Sequence, residues 1–218
     1  QRLLIRSSRD ATAARDLSRF VSPEIAGRVI EADEAIHPGD GEVRHATVMF
    51  TDIEGFSSIA EKLTPQDLIR ALNKYFTAAA AVVERHGGTI TQFQGDALVV
   101  AYNTLRSDSD HAANAVLTAV ELQAEVNTQS FGTGVPWRTQ CGINTGEFIT
   151  GAIGTENRLL YTVHGDGVNL AARLEQLNKQ HGTYILVSEE TANACGERFP
   201  FERIGEVVVR GRSTPTII

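Results

Sequence analysis

The chain has 218 residues, 42% hydrophobic and 22% charged, enough apolar content for one soluble domain with a real core. Its net charge of −7 argues against a nucleic-acid binder, which presents a basic face. No run approaches the roughly 18 apolar residues a membrane span needs, and Arg2, Arg6 and Arg9 interrupt any signal-like start. Cys141 and Cys195 stand far apart without CxxC spacing, so a reduced, cytoplasmic setting is expected, with no disulfide or zinc site. Gln1 in place of methionine is read as the start of an excised piece, its anchors or sensors lying upstream.

Taken in order, residues Gln1 to about Glu34 read as helical, with Ser22-Pro23 as an N-cap and first-turn pair that restarts the helix. The loop "HPGDGE" follows. "HATVMFTD" is a strand ending in an acid. "FSSIAEKLTPQDLIRALNKYFTAAAAVVERH" is helical with a new start at Thr64-Pro65, and Gly87-Gly88 stops it. "TQFQGDALVV" is predicted as two strands joined by a turn with Gly95 and Asp96 at its apex. "SDHAANAVLTAVELQAEVNT" is a helix. "RTQCGINTGEFITGAI" is expected as two strands around Asn144-Thr145-Gly146. Then come the helix "DGVNLAARLEQLNK", the strand "YILVS", the short helix "EETANAC" and a strand pair in "FERIGEVVVRG". Hairpins mixed with helices predict an α+β domain, a largely antiparallel sheet with helices packed on it.

Four constellations carry chemistry. In "VMFTDIEGFS" a strand delivers Asp52 beside Glu54-Gly55-Phe56 at the mouth of a helix. Helix-terminal amides suit phosphate, and an adjacent carboxylate suits Mg²⁺; the plainer reading is that Asp52 caps the helix. In Gln94-Gly95-Asp96 the acid by itself is ordinary turn chemistry. Two acids at strand ends, each beside a glycine, can instead converge on one or two metal ions, an arrangement suited to nucleotidyl transfer. Asn169 and Arg173 lie four apart on one helical face, beside the buried positions Val168, Leu170, Ala171 and Leu174; the plainer reading is a capping Asn and a surface Arg with Glu175 as a solvated neighbour. In "VVVRGRS", Arg210 and Arg212 are strand-end charges, either of which could reach a triphosphate.

These segments, with "GINTGEFITGAIG", resemble in order and spacing the catalytic domain of class III nucleotidyl cyclases. The likeness covers about Arg44 to Ile218, leaving residues 1–43 as a helical linker. It implies a ferredoxin-like, palm-type sheet, a head-to-tail homodimer, and synthesis of a 3′,5′-cyclic nucleotide with two Mg²⁺ or Mn²⁺ ions. By the same resemblance Asp52, Asp96 and the Ile53 carbonyl would hold metal. Gly55, Phe56 and Arg210 would meet phosphates, with Arg210 where the family usually has lysine. Asn169 would position the ribose, and Arg173 would stabilise the transition state from the other chain.

Two positions bear on the base. Gln92 falls where adenylate cyclases usually carry lysine, and Thr162 matches the family's threonine subgroup. Lysine only donates, whereas a glutamine amide and a threonine hydroxyl can each donate or accept. ATP is therefore the expected substrate, with a guanine or pyrimidine nucleotide left open. Residues Asp16 to Ala35 resemble the segment that joins such domains to an upstream sensor. A catalytically inactive nucleotide-binding module and a polymerase-type or diguanylate-cyclase-like palm are the competing readings. The first would lack product, and the second would not depend on Asn169 and Arg173.

Overall fold

The computed structural model describes residues 22–31, 35–132, 134, 136–207 and 216–218. Most of the expected N-terminal helix, and both Arg210 and Arg212, lie outside them. Helix α1 (Pro23–Glu31) begins where Ser22-Pro23 predicts, and the Ser22 hydroxyl accepts the Ile25 N–H at 3.3 Å.

Strand β1 (Gly41–Ile53) is the spine of the domain. Its run Ala46–Met49 is buried residue after residue, because both faces of the sheet are covered at that point. Helix α2 (Phe56–Ala60) follows, then α3 (Pro65–Arg85), whose N-cap Thr64 accepts the Asp67 N–H at 3.2 Å. Strands β2 (Thr89–Gln94) and β3 (Ala97–Tyr102) form the expected hairpin, and Gly95 takes φ +65°, which the turn requires of a glycine. Helix α4 (His111–Asn127), strands β4 (Thr139–Thr155) and β5 (Arg158–His164), helix α5 (Asp166–His181), strand β6 (Ile185–Val187) and helix α6 (Glu189–Cys195) complete the main body. Strands β7 (Glu206–Val207) and β8 (Thr216–Ile217) pair with each other beside it.

The sheet order is β2-β3-β1-β4-β5, with antiparallel neighbours throughout, and β6 pairs in parallel with the first half of β4. The unit β1-α3-β2-β3-α4-β4 in the order β2-β3-β1-β4 is the ferredoxin-like arrangement expected from the resemblance. One expectation is corrected. The Asn144-Thr145-Gly146 stretch is no turn, since β4 runs straight through it for seventeen residues. Val48, Thr47 and Ala46 of β1 pair with those three residues, and the Asn144 amide donates to the Gly167 carbonyl at 3.0 Å. Ladder pairing and a buried side-chain bond outweigh the local turn preference.

Two apolar layers follow from strand alternation. Met49, Ile53, Leu98 and Val100 pack with Tyr75, Val82 and Leu122 of α3 and α4. Trp137 and Phe131 close that layer, their rings 5.1 Å apart. On the opposite face Ala46, Val48, Val99 and Phe148 meet Ala171 of α5. No helix among the described residues is long and apolar enough to cross a membrane.

Candidate active site

The acids meet where β1 and the β2–β3 turn end side by side. Asp52 is the penultimate residue of β1, half-buried on the α5 face of the sheet. Ile53, on the other face, is buried, and its N–H donates to Asp96 Oδ2 at 3.3 Å. That bond locks the tip of one hairpin to the end of the neighbouring strand and brings the Asp96 carboxylate close to that of Asp52.

The electrostatic result is strain in the carboxylates. Burial, then the charge and hydrogen bond of Asp96, then Glu175 push Asp52 up to about 7, while Lys179 opposes them. Glu175 is also pushed up to about 7, first by burial and then by Asp96, with Lys179 again opposing. Packed acids of one sign, kept partly from water, are poised for a cation that prefers oxygen ligands. Among the described residues no three His, Cys, Asp or Glu side chains gather closely enough to cage a metal ion. A cation here would rely on the two aspartates, on backbone oxygen such as the Ile53 carbonyl, and on oxygens of a bound ligand.

Beyond Ile53 the chain turns through Gly55 at φ +68° into α2, and Phe56 is half-buried against the core. The loop is pinned from behind. The Glu54 N–H donates to the Arg138 carbonyl at 2.9 Å, and the Tyr184 hydroxyl donates to Glu54 Oε2 at 3.2 Å. Arg138 in turn donates to the Tyr184 hydroxyl and lies over that ring, 5.4 Å from its centroid.

The remaining expected residues sit elsewhere. Asn169 and Arg173 share an exposed face of α5, where Arg173 reaches Gln176 Oε1 at 3.4 Å. Gln92 is half-buried on β2, just after a bulge that shifts its register against β3. Its Oε1 accepts from the Gln94 amide at 2.6 Å. Thr162 is 4% exposed and pairs with Gly151 on β4. The sheet curls enough for β2 and β5, at the two ends of its strand order, to approach one another. Asp52 and Asp96 therefore form one group, Gln92 and Thr162 lie on a second pair of strands, and Asn169 with Arg173 form an outward-facing third.

Glu175 and the Arg138–Tyr184–Glu54 chain are the residues that sequence reasoning missed. The plainer reading made Glu175 a solvated neighbour of Arg173; it is half-buried and close to the aspartates. The signal for it was Gly142 in mid-strand, where a missing side chain marks a close approach.

Residues 40–217 match the family described as the adenylate and guanylate cyclase catalytic domain. The chain belongs to that family. The cyclase domain is 37% identical over 175 residues to adenylate cyclase 1 of Rhizobium meliloti (strain 1021), covering 78% of this chain and 26% of that protein. It superposes on the guanylyl cyclase Cya2 with a TM-score of 0.72 at 36% identity, over 81% of this chain and 91% of the other. The adenylyl cyclase CyaB from P. aeruginosa gives a TM-score of 0.73 at 29% identity, over 82% and 93%. The cyclase domain spans between 10% and 37% of the length of three curated adenylate cyclases that it matches.

Proposed function

We propose that this cyclase domain converts ATP to 3′,5′-cyclic AMP and diphosphate, as the output module of a larger signalling protein. The observation that carries the reading is the split described above. One protomer gathers its acids on the sheet, and it displays Asn169 and Arg173 on the outward face of α5. A head-to-tail homodimer brings each half to its complement and makes two sites.

Asp52, Asp96 and the Ile53 carbonyl are the groups that would hold two Mg²⁺ or Mn²⁺ ions. Bound there, the ions would make the ribose 3′-hydroxyl more acidic and offset charge on the phosphates. The protein's own part is positional. The amides at Gly55 and Phe56 face the phosphates, and the Arg138–Tyr184–Glu54 chain keeps that loop still. Asn169 of the other protomer orients the ribose, and Arg173 meets charge as it develops at the α-phosphate. Arg210 is assigned to the triphosphate from the sequence alone.

ATP is the substrate assigned here. The Gln92 amide oxygen accepts from Gln94 and its NH₂ group is left to donate, a bond that adenine N1 can accept. Both adenylyl and guanylyl cyclases are among the similar proteins, so the base is a question for assay.

The test is product analysis on the purified domain offered ATP, GTP, CTP and UTP in turn, with Mg²⁺ and with Mn²⁺. Predominant cyclic AMP supports the full reading. Another cyclic nucleotide keeps the reaction and replaces the substrate. A folded dimer with no product from any of the four would leave a nucleotide-binding module.

A further inference from the structure

Helix α5 lies on β4 with no side chain between them at one point. A Cβ on Gly142 would fall 2.1 Å from the Glu175 amide nitrogen, 2.2 Å from the Ala171 carbonyl oxygen and 2.8 Å from the Glu175 Cα. Only glycine admits the helix this closely, and the residue it admits is Glu175. Gly142 pairs with Phe50, and Asp52, two residues further along β1 and on the same face, pairs with Gln140. The backbone of Glu175 is thus seated at the Phe50–Gly142 pair, one same-face position along β1 from Asp52. Its charge acts on Asp52 and that of Asp96 acts on it, with Lys179, one turn along the same helix, facing the group.

Glu175 also sits about 200° around the helix axis from Arg173, so it faces the acids of its own protomer while Arg173 faces outward. Among the described residues no third His, Cys, Asp or Glu joins the two aspartates as a ligand, so a carboxylate just behind them has a distinct use.

We propose that Glu175 is a positioning residue for the divalent-cation site: it is not a ligand, and it supplies negative charge that holds cations between Asp52 and Asp96. This rests on the assignment of those two aspartates to metal. Lys179 caps the arrangement from the solvent side and limits the repulsion among three acids. Outer groups of this kind typically alter metal affinity by about 10–100-fold.

The experiment is a direct Mn²⁺ titration of the purified dimer, counting free Mn²⁺ by electron paramagnetic resonance. It is run with 3′-deoxy-ATP present, so that no turnover occurs. Glu175→Gln is expected to weaken Mn²⁺ binding about tenfold, with nucleotide affinity at saturating metal within about twofold of wild type and an unchanged circular dichroism spectrum. Glu175→Asp should recover most of the loss, since it keeps the charge. Lys179→Gln should tighten Mn²⁺ about twofold, a shift screened by salt. Unchanged Mn²⁺ affinity in folded Glu175→Gln overturns the inference. Should that variant not fold, an unaltered titration in Lys179→Gln overturns it instead. Asp52→Asn is the control that separates the two levels. If it abolishes Mn²⁺ binding while Glu175→Gln has no effect, only the role of Glu175 is lost; if it leaves binding intact, the metal assignment itself falls.

Discussion

The acid end of the sheet and the outward face of α5 are built on opposite principles. At the acid end, Asp96 is tied to the backbone of Ile53, Glu54 is held through Tyr184, and Glu175 is seated by a glycine. Its parts are fixed before any ligand arrives, and the cost is carboxylates forced away from their ordinary ionisation. On α5, Asn169 and Arg173 stand exposed, and among the described residues Arg173 makes a long contact to Gln176. One region is preorganised and electrostatically strained, while the other is relaxed and incomplete. On the proposed function, groups divided in this way would make activity a property of association and dimer concentration a control on turnover.

The largest effect should come from the exposed half. Arg173→Ala is expected to lower kcat by about 10²–10³-fold, as loss of a transition-state contact does, with far-ultraviolet circular dichroism and melting temperature preserved. Near-normal cyclic AMP formation would erase the functional difference between the two regions. Mixing should then sharpen it. An equimolar pair of Asp52→Asn and Arg173→Ala chains, each inactive alone, should regain about a quarter of wild-type activity by random exchange. Recovery comes only if the two halves come from different protomers, and a mixture that stays inactive places both in one.

Base choice gives an intermediate effect. Gln92→Lys replaces an amide with a group that can only donate, and should raise the ratio of ATP to GTP turnover about tenfold, read from kcat/KM for each. Gly142→Ala should cost about 1–3 kcal/mol in urea unfolding, because the added methyl meets backbone atoms that have little room to yield.

The smallest effect tests the strain itself. An acid raised from 3.8 unfolded to about 7 folded contributes no penalty when protonated in both states. The penalty grows as pH rises through that interval and is complete above it. Metal-free Asp52→Asn should therefore melt a few degrees higher than wild type at pH 8, the gap closing toward pH 4. Added Mn²⁺ should reverse the order at pH 8 by stabilising only the wild type. A constant gap across pH, followed by differential scanning fluorimetry, would show that the carboxylates are unstrained.

Much of this was legible in the chain. Strand texture before Asp52, the Gly95-Asp96 apex and the 3.6-residue pattern around Asn169 and Arg173 are local signals, and all three elements form where expected. What escaped was non-local. Asn144-Thr145-Gly146 carries turn residues, yet β1 holds it extended. Glu175 follows Arg173 by two positions and looks solvated from its neighbours alone. Its burial depends on Gly142, thirty-three positions earlier on another element. The Tyr184–Glu54 bond closes across 130 positions, a pairing no window along the chain contains.

Gly151 has a mechanical consequence of its own. The chain arriving from α1 is stitched to β4 there: Gly39 donates to the Ala152 carbonyl at 2.9 Å, Ala152 donates to the Asp40 carbonyl at 2.8 Å, and a Cβ on Gly151 would lie 2.2 Å from the Asp40 carbonyl oxygen. Across the strand, the other neighbour of Gly151 is Thr162. Residues 39–41 and Thr162 are thus joined through main chain alone, with no side chain between them to absorb a displacement. A displacement of residues 39–41 would therefore have a main-chain route to the Thr162 position, whereas Asp52 lies at the far end of β1.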